Sequence, residues 1–144
     1  MDITEKFEHL EEYEKEKASN SYLMSVIFMT VGLPIPFVNL IGTIVFWAGN
    51  KKESHFVRWH CMQAFLTQFS LFIINSIGIV WALILYFKEL QISNLFISYL
   101  LTILVFNLVE FIATIAGAVQ TRKGIHQKWF FYGHLTDLLS KKRI

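Results

Sequence analysis

The chain has 144 residues, 54% of them hydrophobic, 16% aromatic and only 17% charged, with a mean hydropathy of +0.46 and a formal charge of +2. A soluble domain of this length does not need so much apolar side chain, so the composition excludes an ordinary soluble globule and points to an integral membrane protein. The single cysteine, Cys61, excludes an internal disulfide and a multi-cysteine metal site.

The charge is unevenly spread. Residues 1–20 carry −4 and residues 21–144 carry +6, which marks 1–20 as an acidic tail and 21–144 as a single membrane domain. In the tail, Ile3, Phe7, Leu10 and Tyr13 fall at helical spacing, and Asp2 and Glu5 are placed for a capping box, so a short amphipathic helix is predicted. Its acidic face is repelled by anionic lipid. Packing on the chain's own bundle is the favoured role, and docking to another protein is preferred to membrane-surface binding. An acidic start is neither the basic opening of a secretory signal nor an Arg/Ser-rich transit peptide, so Tyr22 onward is read as structure.

Tyr22 to Ala48 is uncharged but contains GLPIP, residues 32–36. Pro34 and Pro36 each lack a backbone donor and bias the preceding residue away from helical angles, so Gly32, Pro34 and Pro36 mark a helix break. Two half-length helices follow, over 22–33 and 35–48, as a re-entrant hairpin or a sharply kinked single span. Broken backbone of this kind is tolerated in a bilayer only where protein or water covers it. The hairpin places twelve Lys/Arg on one side against one on the other, and the single crossing gives nine against four. The positive-inside rule favours the hairpin, with the C-terminus, Lys51, Lys52, Arg58 and the N-terminus in the cytoplasm.

Two long antiparallel transmembrane helices are predicted next, over about 54–87 and 94–120, joined by a short loop from Lys88 to Ser93. The first run, uncharged from Trp59 to Phe87, and the second, broken only by Glu110 between Leu90 and Thr121, each exceed the ~20 residues that cross a ~30 Å hydrocarbon core. Ser54 is a natural N-cap for the first. At 34 residues that element is too long for hydrocarbon alone, so its first three turns are assigned to the cytoplasmic headgroup layer, where Arg58, His60 and Gln63 are wet or meet a partner. Glu110 is the one ionisable residue deep in a span, with Asn107 and Asn75 as candidate partners. It is read as a hydrogen-bonded clamp between helices, with a proton-relay site as the functional rival. Ala113 and Gly117 form a small-xxx-small pair that admits a close helix neighbour. The aromatic WFFYGHLTDLL, residues 129–139, followed by KKRI, is read as an interfacial anchor segment lying along the membrane. The fold class is thus all-α, a polytopic membrane bundle.

Catalytic and metal chemistry is missing. His55 and His60 stand five apart rather than four, with no third ligand nearby, so no metal site and no cofactor are expected. There is no phosphate loop and no nucleophile with a base and an orienter, so the protein is not read as an enzyme. The basic residues border the spans and need no nucleic acid to explain them.

HFVRWHCMQA, His55 to Ala64, resembles a motif of the twenty-kilodalton subunit family of the chloroplast inner-envelope protein translocon and its bacterial relatives. The upstream GLPIPFVNLIGTIVFWAGNKKES and downstream GAVQTRKGIHQKWFFYG are similar to the same family, which extends the likeness over about 22–135. The resemblance implies a channel-forming subunit with both termini on one side. It implies packing and partner contact at the membrane edge for His55, Phe56, Val57, Arg58, His60, Met62, Gln63 and Ala64. The expected function is a non-enzymatic subunit of a bacterial inner-membrane complex tied to protein translocation or insertion. Its partners would be lipids and membrane proteins or copies of itself. The alternative is a small ion or solute carrier working through the broken helix at 32–36 and Glu110.

Overall fold

In the computed structural model, residues 4–6, 10–32 and 36–141 are described. The order of elements is β1 (Thr4–Lys6), α1 (Glu12–Gly32), α2 (Pro36–Gly49), α3 (His55–Phe87), α4 (Asn94–Arg122), β2 (Ile125–Gln127) and α5 (Phe130–Lys141). Among the described residues the architecture is all-α with one short antiparallel ladder, Thr4 opposite Gln127 and Lys6 opposite Ile125.

The ladder corrects the prediction of an amphipathic helix at the N-terminus. Thr4–Lys6 is extended because its backbone pairs with β2, a long-range partner that local spacing cannot reveal. The helical pattern through Leu10 and Tyr13 belongs instead to the approach and first turn of α1. Ile3 and Phe7 of the predicted apolar stripe, and Asp2 of the predicted capping box, lie outside the described residues. α1 opens on Glu12 and Glu14, acids that suit the positive end of the helix dipole. It then runs without interruption to Gly32.

α1 ends at Gly32 and α2 opens at Pro36, whose missing N–H is no loss in a first turn. Pro34 lies outside the described residues. The two helices pack antiparallel: a Cβ on Gly42 would stand 2.2 Å from the Phe28 ring, so only glycine lets α2 approach α1 this closely. At the open end of the hairpin, Lys17 Nζ bonds Glu53 Oε1 at 2.6 Å and Tyr13 donates to the other Glu53 oxygen.

Ser54 caps α3 by accepting from the Val57 N–H at 3.4 Å, and Ser93 caps α4 by accepting from the Phe96 N–H at 3.2 Å. α3 runs beside α1 in the same direction, with Tyr22 against His60 and Met29 against Gln68. α4 runs back beside both. Ser19 Oγ donates to the Ala118 carbonyl at 2.8 Å, and a Cβ on Gly117 would meet Trp129 at 3.0 Å. The small-residue stretch of α4 therefore receives α1. Arg122 closes this end of the bundle on Glu12 and Glu16 at 3.8 and 3.3 Å, so part of the acidic tail is occupied by the chain's own cation. Gly124, at φ +76°, turns the chain back after α4 into β2, a conformation that favours glycine. α5 then climbs antiparallel to α3, with Asp137 at Trp59 and Ser140 at His55.

Candidate functional site

The motif region of α3 and the chain from β2 into α5 meet in a buried polar layer. His60 and Gln63 are fully buried, as are Tyr22 of α1 and Thr121 of α4, with His126 of β2 nearly so. The Tyr22 hydroxyl lies 2.7 Å from His60 Nδ1 and receives the Gln63 amide at 2.9 Å. His60 Nε2 lies 3.2 Å from His126 Nδ1. One proton arrangement satisfies all of these contacts. Gln63 donates to the phenol oxygen, the phenol donates to His60 Nδ1, and His60 donates from Nε2 to His126. The remaining capacity of Gln63 goes to the backbone, with Nε2 on the Gln127 carbonyl and Oε1 on the Trp129 N–H, both at 3.3 Å. Its side chain works as a strand-like partner for the segment that leaves β2. Rings seal the layer: Trp59 stands 4.3 Å from His126, Phe56 4.6 Å from His60, and Trp129 5.6 Å from Tyr22.

The layer changes the roles expected for the motif. Phe56, Val57, His60, Gln63 and Ala64 are buried and Met62 is half-buried, while His55 and Arg58 are exposed. His60 and Gln63 are therefore internal, and the wet or partner-contacting position predicted for them is not where they lie. They are buried because β2 and α5 fold back over them, a return that α3 alone does not announce. The same return explains Trp59, whose Nε1 donates to Asp137 Oδ1 at 2.8 Å while the other carboxylate oxygen faces Lys128 at 3.5 Å.

A second polar group lies deeper. Asn75 and Asn107 exchange reciprocal amide hydrogen bonds of 3.1 and 2.8 Å between α3 and α4. They line a crevice of about 600 Å³ below the hairpin, together with Met29, Asn39, Gln68 and Phe111. Asn39 donates to Gln68 at 2.6 Å, and its own oxygen is buried without a partner. Glu110 does not join the asparagines, which satisfy each other. It is half-buried, with the Tyr132 phenol of α5 beside its carboxyl and Oε2 left unpaired. The crevice and the buried histidines were missed at the sequence level. Asn39 and Gln68 are polar residues inside apolar runs and were the available signal for the crevice, and His126 beside the small-basic-aromatic ending was the signal for the layer.

Outside these groups the surface is greasy. Only 11% of the most apolar window of α3 and 6% of that of α4 is buried within the chain. A core helix of a soluble protein is mostly covered, so these two helices fit a membrane protein, each long enough to cross a bilayer. The chain belongs to the magnetosome magnetite crystal formation protein family, MamF/MmsF, whose model matches residues 18–135. No curated protein and no solved structure matches it. The family match corrects the resemblance to the chloroplast translocon subunit. The residues that carried that resemblance are largely packing residues of the buried layer, and such a pattern reports how α3 is covered rather than what the protein does.

Proposed function

We propose that the protein is a non-enzymatic, multi-pass component of a bacterial magnetosome membrane that supports the growth of magnetite crystals from within that membrane. The observation that carries this is the extent of the family match, which takes in α1 from Ala18 onward, the whole of α2 to α4, β2, and the first half of α5. The match thus concerns the membrane body as a unit and not a borrowed motif. Glu12, Glu53 and Arg122 share one end of the bundle with Lys51, Lys52 and Lys123. The positive-inside rule puts that end in the cytoplasm and the Lys88–Ser93 loop in the opposite compartment. The partners on this reading are lipids and membrane proteins or further copies of the chain, with no nucleic acid and no cofactor.

The carrier alternative has less in its favour, because Asn75 and Asn107 are mutually satisfied and Glu110 turns to Tyr132 of the same chain. Two measurements test the proposal. The protein should stay in the membrane pellet through alkaline carbonate. Deleting its gene from the host should shift the size distribution of magnetite crystals under the electron microscope, with recovery on complementation. Crystals unchanged by the deletion would sink the proposal.

A further inference from the structure

The helices are unequally distributed with depth. Tyr86 and Phe87, 78% and 76% exposed, end α3 next to the charged Lys88 and Glu89, a pattern that marks one membrane boundary. A hydrocarbon core of ~30 Å takes ~20 residues at ~1.5 Å each, which puts the other boundary about level with Thr67. The α1–α2 hairpin does not reach far past it. Phe37, at the start of α2, meets Phe72 with ring centroids 5.2 Å apart, and Met29 and Asn39 both meet Gln68. The described end of the hairpin, at Met29 and Phe37, therefore lies only about 8 Å inside the core by helical rise, within one leaflet.

Beyond Phe72, among the described residues, α3 is paired with α4 alone, through Asn75 with Asn107, Gly78 with Ile103, and Trp81 with Phe96. The crevice opens at this step. The inserted end of the hairpin faces lipid and not water, since Val31 on α1 and Phe37 and Ile41 on α2 are exposed along its outer side. α5 adds to the headgroup layer of the same leaflet: the Trp129 N–H at its start meets Gln63, about 6 Å outside the Thr67 level by helical rise, and Phe130 and Phe131 are exposed there at 85% and 68%.

Five helices thus stand in the headgroup layer and outer edge of one leaflet and two in the other. At a diameter of ~10 Å each helix takes roughly 80 Å² of membrane plane, so the excess on the crowded side is roughly 240 Å². We propose that the protein is a leaflet wedge that binds preferentially to bilayers curved so that the leaflet holding α1, α2 and α5 is convex. A convex leaflet offers extra area per lipid where the chain needs it, whereas a flat bilayer must strain to match the two cross-sections. With the Lys51–Lys52 end in the cytoplasm, the favoured membrane is one bulging toward the cytoplasm. The proposal rests on the membrane reading and not on any role in crystal growth.

The test uses the full chain with Lys52→Cys, reconstituted into small sonicated and large extruded phosphatidylcholine vesicles. An impermeant maleimide is applied before and after lysis. Cys61 is 1% exposed and contributes little background, which a Cys61→Ser control confirms. The expected result is a several-fold excess of outward-facing label in small vesicles and near-equal orientations in large ones. Orientation independent of vesicle size in protein that resists carbonate would overturn the wedge alone. Release by carbonate would overturn the membrane reading and the wedge with it.

Discussion

The Tyr22 hydroxyl joins His60, at 2.7 Å, to Gln63, at 2.9 Å, and so couples α1 to α3 through two side chains that have no access to water. Tyr22→Phe removes the bridge and leaves buried groups unpaired. The expected loss is about 1–3 kcal/mol, read as a lower melting temperature in mild detergent. His55→Ala, at an exposed position, should stay within about 0.5 kcal/mol of the parent. Equal melting of the Tyr22→Phe variant and the parent would show that the layer is not closed.

Gly42 sets the spacing of the hairpin. Gly42→Val must displace the Phe28 ring and part the two helices, whereas Gly49→Val meets nothing within 4 Å. Overpacking of this kind costs about 1–3 kcal/mol, so the first variant should melt earlier and proteolyse faster than the second. If the two variants behave alike, α1 and α2 do not pack as described.

A double-mutant cycle reports on Asn75 and Asn107. Each single change to Leu should destabilise, and the double change should cost less than the sum, with a coupling of about 0.5–2 kcal/mol typical of polar pairs within membranes. Strict additivity would argue that the two amides do not meet.

Glu53 gives the molecule a modest acid sensitivity. The Lys17 ammonium, and then the Tyr13 hydroxyl, hold its carboxyl below the usual carboxylate range. A group whose pKa is depressed on folding stabilises the fold above its unfolded pKa and loses that contribution as pH falls through the folded value. Water still reaches both partners of this half-buried pair, so screening keeps the effect small. Melting temperature should fall on acidification below the ordinary carboxylate range, and Glu53→Gln should lower the neutral-pH value and flatten this acid limb. An unchanged profile would remove Glu53 from the account.

Glu110→Gln separates the clamp from a proton relay. Gln keeps hydrogen-bonding capacity toward Tyr132 and loses titration, so a strain carrying it should form crystals of parental size. Altered crystals from a variant that assembles normally would restore a titrating role.

Much of the helical layout was legible in the sequence because it rests on local rules. Long uncharged runs predict α3 and α4, serines cap both of them, and the prolines separate α1 from α2. What local rules cannot show is the return of the chain. β2 pairs with β1 across the length of the protein, and the Gln63 amide bonds backbone at Gln127 and Trp129. A helix reading of HFVRWHCMQA places His60 and Gln63 on one stripe but leaves open what covers it. The covering came from IHQKW, a stretch whose lysine and rings suggest a surface. Likewise Glu110 invited pairing with Asn107 on its own helix, and the asparagines chose each other because α3 and α4 face one another at that level.

The β1–β2 ladder also fixes an order of events during biosynthesis. A ribosome delivers Ile125 about 120 residues after Lys6, roughly 6–24 s later at ~5–20 residues per second. All four long helices have been synthesised by then, yet His60 and Gln63 still lack His126 and the Gln127 and Trp129 backbone. Nascent chains therefore pass through a stage in which the lipid-embedded half is laid down and the polar half stands open, and the last segment made completes the enclosure.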